Sequence, residues 1–235
     1  MIDAGALRRF GVSLVVAPHP DDESLGCGGL LAMLGDVGLP VFALLMTDGT
    51  RSHTGSQVYG EAARAALRDA EWQAALRCLG VAADRLHRLG LVDGLLPSPG
   101  DAGFAAAAGR CGEAIDRIRP RTVLVPWRRD PHPDHRATHA LVSAALQGRR
   151  PPPRVLEYAV WAGERGTALD QPGAGEVRTW RLDIASAVER KRRAIAAHRS
   201  QLGEVITDDP HGFTIPPGLR ARAERPVEHF FESLA

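Results

Sequence analysis

Short, nearly continuous apolar runs alternate along this chain with longer Ala- and Leu-rich amphipathic stretches. Ser13–Ala17 and Val41–Met46 have the unbroken apolar character of strands covered on both faces. Weaker or later strand patterns lie at Arg85–Leu89, Thr122–Trp127, Val155–Trp161 and Val177–Asp183. Between them the 3.6-residue period predicts helices over about Ser24–Leu34, Glu61–Leu79, Phe104–Ile118, Pro133–Leu146 and Ile184–His198. Arg51–Gly60 is polar with Gly and Ser and reads as a flexible loop, and Gly203–Pro226 is rich in Gly, Pro and charge. Strands alternating with helices imply βαβ units on a mostly parallel sheet. The expected fold is therefore α/β, doubly wound and Rossmann-like, with an elaborated C-terminal third. With 235 residues and roughly 150 per domain, residues 1–235 read as one domain, because QGRRPPPR at 147–154 is followed at once by strand pattern.

Composition narrows the class of function. Hydrophobic residues are 44% and charged residues 24%, as in an ordinary globular chain, which excludes disorder and collagen-like repeats. A formal net charge of +1 offers no global field for nucleic acid or an acidic membrane. The N-terminal apolar run is too short for a signal peptide, and no stretch reaches the roughly 18 apolar residues of a membrane span. The three cysteines, Cys27, Cys78 and Cys111, lack paired spacing, so the expected compartment is the reducing cytoplasm.

Two motifs carry the candidate chemistry. Pro18-His19-Pro20-Asp21-Asp22-Glu23 stands where the first strand ends, and Pro131-His132-Pro133-Asp134-His135 follows the Thr122–Trp127 strand. Loops after parallel strands gather on one edge of a doubly wound sheet, so these two should meet in space. His19 and Asp22, three residues apart in a turn, can face one point, and His135 completes a His₂Asp set with a position open for water. Such a set suits Zn²⁺, although Fe²⁺ or Co²⁺ takes the same ligands. Neither motif contains a thiolate, which excludes a structural Cys site. Asp21 is then free to act as general base, and His132, as imidazolium held by Asp134, to stabilise an oxyanion and protonate a leaving amine. The parts describe metal-assisted hydrolysis of an amide or ester. A helix cap explains Asp21 or Asp22 alone, but not the second His-rich loop. His139, four residues after His135, is an alternative ligand but reads better as a packed residue.

PHPDDE after one strand and HPDH after another resemble the PIG-L (LmbE-like) family of zinc-dependent N-acetylglucosaminyl deacetylases. Thr47-Asp48-Gly49, Arg68-Asp69-Ala70-Glu71 with Leu79-Gly80, and Ala197-His198-Arg199-Ser200-Gln201 resemble further, individually weak, family segments. The resemblance implies that His19, Asp22 and His135 bind zinc, that Asp21 is the base, and that His132 is the oxyanion stabiliser or acid. It also implies that Arg68 and Asp48 face the sugar, and that the substrate is a small N-acetylated amino sugar or glycoconjugate; homo-oligomers stay open, while the balanced charge argues against nucleic acid as a partner and no membrane span is expected. Some relatives carry Tyr two positions before the first His of HPDH; here that position is Asp130, which puts a tyrosine-assisted variant in doubt. Arg128 and Arg129 offer a contact for a phosphate or carboxylate on the substrate, or simply a solvated loop. Gly26-Cys27-Gly28-Gly29 lacks the spacing of a phosphate-binding loop and is read as close helix packing. Arg190–Arg193 (RKRR) reads as an exposed helix face. Alternatives are an amidase acting on a different acyl group or thiol conjugate, and a non-catalytic sugar-binding relative.

Overall fold

The computed structural model describes residues 7–234. Its elements run β1 (Ser13–Ala17), α1 (Asp22–Asp36), β2 (Val41–Thr47), α2 (Glu61–Cys78), β3 (Leu86–Leu91), α3 (Phe104–Ile118), β4 (Thr122–Pro126) and α4 (Pro133–Leu146). They continue with β5 (Arg154–Tyr158), β6 (Val177–Asp183), α5 (Val188–Ala197), α6 (Pro217–Ala223) and β7 (Val227–Ser233). One seven-stranded sheet has the order β3-β2-β1-β4-β5-β7-β6. The first five strands are parallel, and β7 runs antiparallel between β5 and β6. The expected α/β, mostly parallel architecture is present.

The sheet is buried on both faces because its central strands are apolar at nearly every position, with only Ser13, Thr47 and Thr122 polar at their ends. Val15, Ala43, Leu45 and Leu124 point into one core, packed by Leu30 and Leu31 of α1, Trp72 and Leu76 of α2, and Ile195 of α5. Leu14, Val16, Leu44, Met46, Val123 and Val125 point into the other, packed by Cys111 and Ile115 of α3 and Leu141 of α4. Strand β1 pairs with β2 on one side and β4 on the other. The winding direction reverses between β1 and β4, and the segments leaving their C-terminal ends open onto the same crevice.

Helix α1 begins two residues earlier than the sequence pattern suggests and is broken at Cys27, whose φ of −144° is not helical. The carboxylate of Glu228, from β7, enters that break and accepts hydrogen bonds from the Gly29 and Leu30 amides at 2.7 and 2.8 Å. Lys191 of α5 donates to the same carboxylate at 2.7 Å, and both side chains are buried. The RKRR segment is thus not a uniformly exposed face: its lysine points inward to neutralise a helix-capping glutamate. Gly26 and Gly29 are required by close packing. A Cβ at Gly26 would stand 2.2 Å from the Tyr158 ring, and one at Gly29 would stand 2.5 Å from Ile184. The one-turn segment before the break carries Asp22 into the crevice and buries Glu23 against Ser24.

Candidate active site

The PHPDDE and HPDH loops meet at the carboxyl edge of β1 and β4. Asp22 Oδ2 lies 3.1 Å from His19 Nδ1 and 3.2 Å from His135 Nε2. These separations match the edge of a tetrahedron built on metal–ligand bonds of about 2.0–2.1 Å, which is about 3.3 Å. His135 is completely buried, yet neither ring nitrogen makes a hydrogen bond of ordinary geometry. A buried imidazole nitrogen without a partner, facing a carboxylate, fits a metal ligand. One nitrogen each from His19, His132 and His135 also come within 4.8 Å of one another, so the centre can hold a cation.

Both candidate histidine ligands are oriented from behind by carboxylates, as metal-binding histidines commonly are. His19 Nε2 faces Asp134 Oδ2 at 3.0 Å and Asp93 Oδ1 at 3.3 Å, leaving Nδ1 toward Asp22. His135 Nδ1 faces Asp130 Oδ1 at 3.3 Å. Asp130 is itself held by the amides of His132, Val160 and Trp161 at 3.0–3.1 Å. Burial lowers the His135 pKa, but the charges of Asp22 and Asp130 outweigh it and bring the group up to about 9. His19 is likewise raised: burial opposes the proton, while Asp134, Asp22 and Asp93 hold it. The protein surrounds this point with negative charge and keeps protons where a cation would sit.

Asp21 occupies a strained position. Its φ of 139° is unusual for a residue with a side chain, and it stands at the N-cap position of α1 without its side chain making a capping hydrogen bond. Burial lifts its carboxyl pKa to about 7 against the pull of Arg68, with Asp22 adding to the rise. Arg68 Nη2 donates to the Pro20 carbonyl at 2.5 Å and to Asp21 Oδ2 at 3.3 Å. The guanidinium expected to face a sugar is therefore buried and grips the backbone and base of the motif, although it also borders the cavity.

Three further expectations are corrected by the geometry. The Asp134 carboxylate does not hold His132; it accepts from Gly94 N at 2.7 Å and faces His19. His132 Nδ1 instead accepts the Asp134 amide at 3.2 Å, which leaves Nε2 to carry the ring proton. Burial and the neighbouring His135 and His19 push its pKa down to about 4, so the ring is a neutral donor rather than an imidazolium. Asp48 Oδ1 accepts from the Thr50 amide and hydroxyl and the Asp93 amide, shaping the rim loops from beneath. Arg128 stacks on Trp127 with Nη2 3.1 Å from Glu157, and Arg129 pairs with Glu176; neither borders the cavity over the centre. His139 faces Glu157 at 3.3 Å and takes no part in the centre.

Above the centre lies a cavity of about 230 Å³. Its rim includes Arg51, Trp161, Arg165 and Phe213, residues that motif reading did not single out. Asp93 was equally unmarked, yet it follows β3 on the same sheet edge, which is the signal that could have found it. Arg51–Gly60 is not a free loop. Residues Thr50–His53 form a 3₁₀ turn, with His53 buried. Asp208 accepts from Ser56 Oγ and the Gln57 and Val58 amides, Asp209 accepts from the Gly55 amide, and Phe213 N donates to Ser52 O at 2.6 Å. The weak Arg68–Glu71 and Ala197–Gln201 segments also join: Glu71 accepts from Ser200 N at 2.7 Å and Ser200 Oγ at 2.6 Å. His198 lies buried behind them, 3.7 Å from Glu23.

Comparison with known proteins agrees with this geometry. Residues 14–146 match the family model described as PIG-L, GlcNAc-PI de-N-acetylase. The chain is 32% identical to a 2'-N-acetylparomamine deacetylase of Streptomyces fradiae, over 86% of this chain and 76% of that protein. It is 31% identical to a diacetylchitobiose deacetylase of Thermococcus kodakarensis, over 82% of this chain and 71% of that protein. The solved N,N'-diacetylchitobiose deacetylase of Pyrococcus horikoshii superposes with a TM-score of 0.70 at 25% identity, covering 93% of this chain and 82% of that one. Family model, relatives and fold converge on the same conclusion: this chain is a member of the PIG-L family of deacetylases.

Proposed function

We propose that this protein is a zinc-dependent hydrolase that removes the acetyl group from an N-acetylglucosamine-type sugar or glycoconjugate, using His19, Asp22 and His135 as metal ligands. The observation that carries the reading is Asp22 Oδ2 standing 3.1 and 3.2 Å from one nitrogen each of His19 and His135, the latter buried and without a hydrogen bond. Zinc, when bound, acidifies a water and polarises a carbonyl. Asp21 takes the proton of the attacking water. Its buried carboxyl, raised to about 7, holds that proton and can return it to the departing amine. His132, neutral and with Nε2–H free, donates to the carbonyl oxygen as charge develops there. Arg68 fixes Asp21 and the Pro20 carbonyl, so the base keeps its place.

No helix among the described residues is long and apolar enough to cross a membrane. A cytoplasmic location rests on Cys27, Cys78 and Cys111 being unpaired. A single α/β domain rests on the continuous sheet. The test is acetate and amine release from N-acetylglucosaminides and longer N-acyl analogues, by enzyme stripped with a chelator and reloaded with Zn²⁺, Fe²⁺ or Co²⁺. Turnover that vanishes on stripping and returns with zinc supports the reading. Turnover indifferent to chelator refutes the metal assignment, and preference for longer acyl groups refutes the acetyl assignment.

A further inference from the structure

Two guanidinium groups at the mouth of the catalytic cavity have no anionic partner. Arg51 and Arg165 both border it, and among the described residues neither side chain has a carboxylate within ion-pair distance or a hydrogen-bond acceptor. Both are nonetheless placed. The Arg51 amide donates to Asp93 Oδ2 at 2.9 Å, and its side-chain stem lies against Gly94, where a Cβ would stand 3.1 Å from Arg51 Cδ. The Arg165 guanidinium lies over the Trp161 ring, 4.1 Å from its centroid. Trp161 is in turn anchored by its amide on Asp130 and by the edge of Phe213. Nearby arginines differ. Arg68 holds Asp21, Arg128 pairs with Glu157, Arg129 with Glu176, and Arg222 with Glu164.

The acidic groups that line the same cavity are engaged on its floor: Asp22 and Asp93 face histidines and Asp21 faces Arg68. The cavity is thus polarised, with an acidic floor that suits a cation and a basic rim. In a 2-acetamido sugar the glycosidic carbon is bonded to the carbon that bears the acetamide, so with the acetamide on the floor the aglycone is within reach of the rim. Guanidinium forks bind carboxylate and phosphate oxygens bidentately, and one already stacked on an indole loses less freedom on doing so. We infer that the natural substrate carries an oxyanion, a carboxylate or phosphate, on the group attached to the amino sugar, bound by Arg51 and Arg165. This rests on the deacetylase reading and specifies its substrate class. Glycosides bearing an extra ammonium group are disfavoured at the same rim.

The test uses zinc-loaded full-length protein and four N-acetylglucosaminides matched in size, with aglycones ending in a hydroxyl, a carboxylate, a phosphate or an ammonium. The inference expects kcat/KM for the carboxylate or phosphate glycoside to exceed that of the hydroxyl one at least tenfold. The gain should lie mainly in KM, shrink with added salt, and show which oxyanion is preferred. In Arg51→Gln and Arg165→Gln that ratio should fall at least fivefold, with Arg165→Lys between. Binding of the same glycosides is measured in parallel by calorimetry on chelated protein, which does not depend on turnover. A ratio near one in the unsubstituted protein, or equal losses on anionic and neutral glycosides in both variants, overturns the inference and leaves the deacetylase reading intact. Arginine-dependent binding of the anionic glycosides without any deacetylation supports the inference and refutes the deacetylase reading.

Discussion

Replacing Asp21 by Asn should make the protein more stable while making it a far poorer catalyst. The carboxyl is buried and its pKa is raised from 3.8 to about 7, chiefly by burial. A raised pKa means that the folded protein prefers the protonated form. Its contribution is favourable in acid, declines as pH rises above the unfolded value near 4, and is fully lost above pH 7. A rise of about three units at about 1.36 kcal/mol each puts the full penalty on the order of 4 kcal/mol. Asn keeps the shape, tolerates positive φ as Asp does, and removes the charge. In metal-free protein the stability advantage of Asp21→Asn should therefore widen between pH 5 and pH 8, by on the order of 2–3 kcal/mol. Urea titrations of both proteins with chelator across that range read the gap directly. Loaded enzyme should lose roughly 10²–10⁴-fold in turnover on the same substitution. The native rate should fall on the acid side as Asp21 takes up its proton, at or below pH 7 because a bound cation lowers that pKa. A stability gap that stays flat or narrows with pH, or a variant that turns over normally, would refute the account of Asp21 as a destabilised base.

Other consequences can be checked separately. Asp130→Asn removes the charge behind His135 and should weaken metal binding about 10–100-fold in competition with a chromophoric chelator; unchanged affinity in a folded variant would show that Asp130 does not orient the ligand. His132→Ala should reduce kcat about 10²–10³-fold with metal content unaltered, whereas loss of metal would make His132 a ligand in place of Asp22. Gly26→Ala drives a methyl to 2.2 Å from Tyr158, whose hydroxyl is tied to Val16 O at 2.8 Å, so unfolding stability should drop by at least 1–3 kcal/mol, roughly 2–4 °C in Tm for each kcal/mol. A denaturation midpoint equal to that of the parent would contradict that packing.

Strands β1, β2 and β4 were legible because burial on both faces leaves an unbroken apolar run, and burial does not require knowing the neighbours. Strand β7 was not. Its sequence, Val227–Ser233, includes two glutamates, and it is a strand because β5 and β6 flank it and because Glu228 caps the broken helix α1. The meeting of His19, Asp22 and His135 followed from the sheet-edge rule, since it depends only on which strands precede the loops. The partners of those residues did not follow. Asp134 adjoins His132 along the chain, yet the helix start turns its carboxylate to His19, 115 positions away. Asp130, expected as a departure from a tyrosine, proves to be the buried acceptor that holds three amides and faces His135. Side-chain direction at a helix start is set by tertiary contacts, and spacing alone does not encode it.

The clasp between segments 55–58 and 208–213 bears on how new specificities are made in this scaffold. Two aspartates from the C-terminal segment accept from amides on the earlier one, and the Phe213 amide donates to Ser52 O just before it, so the two stretches are shaped together. Transplanting either stretch by itself from a homologue would lose these contacts and loosen the entrance. Exchanged as a matched pair, they should carry ligand preference with them while the catalytic floor stays untouched.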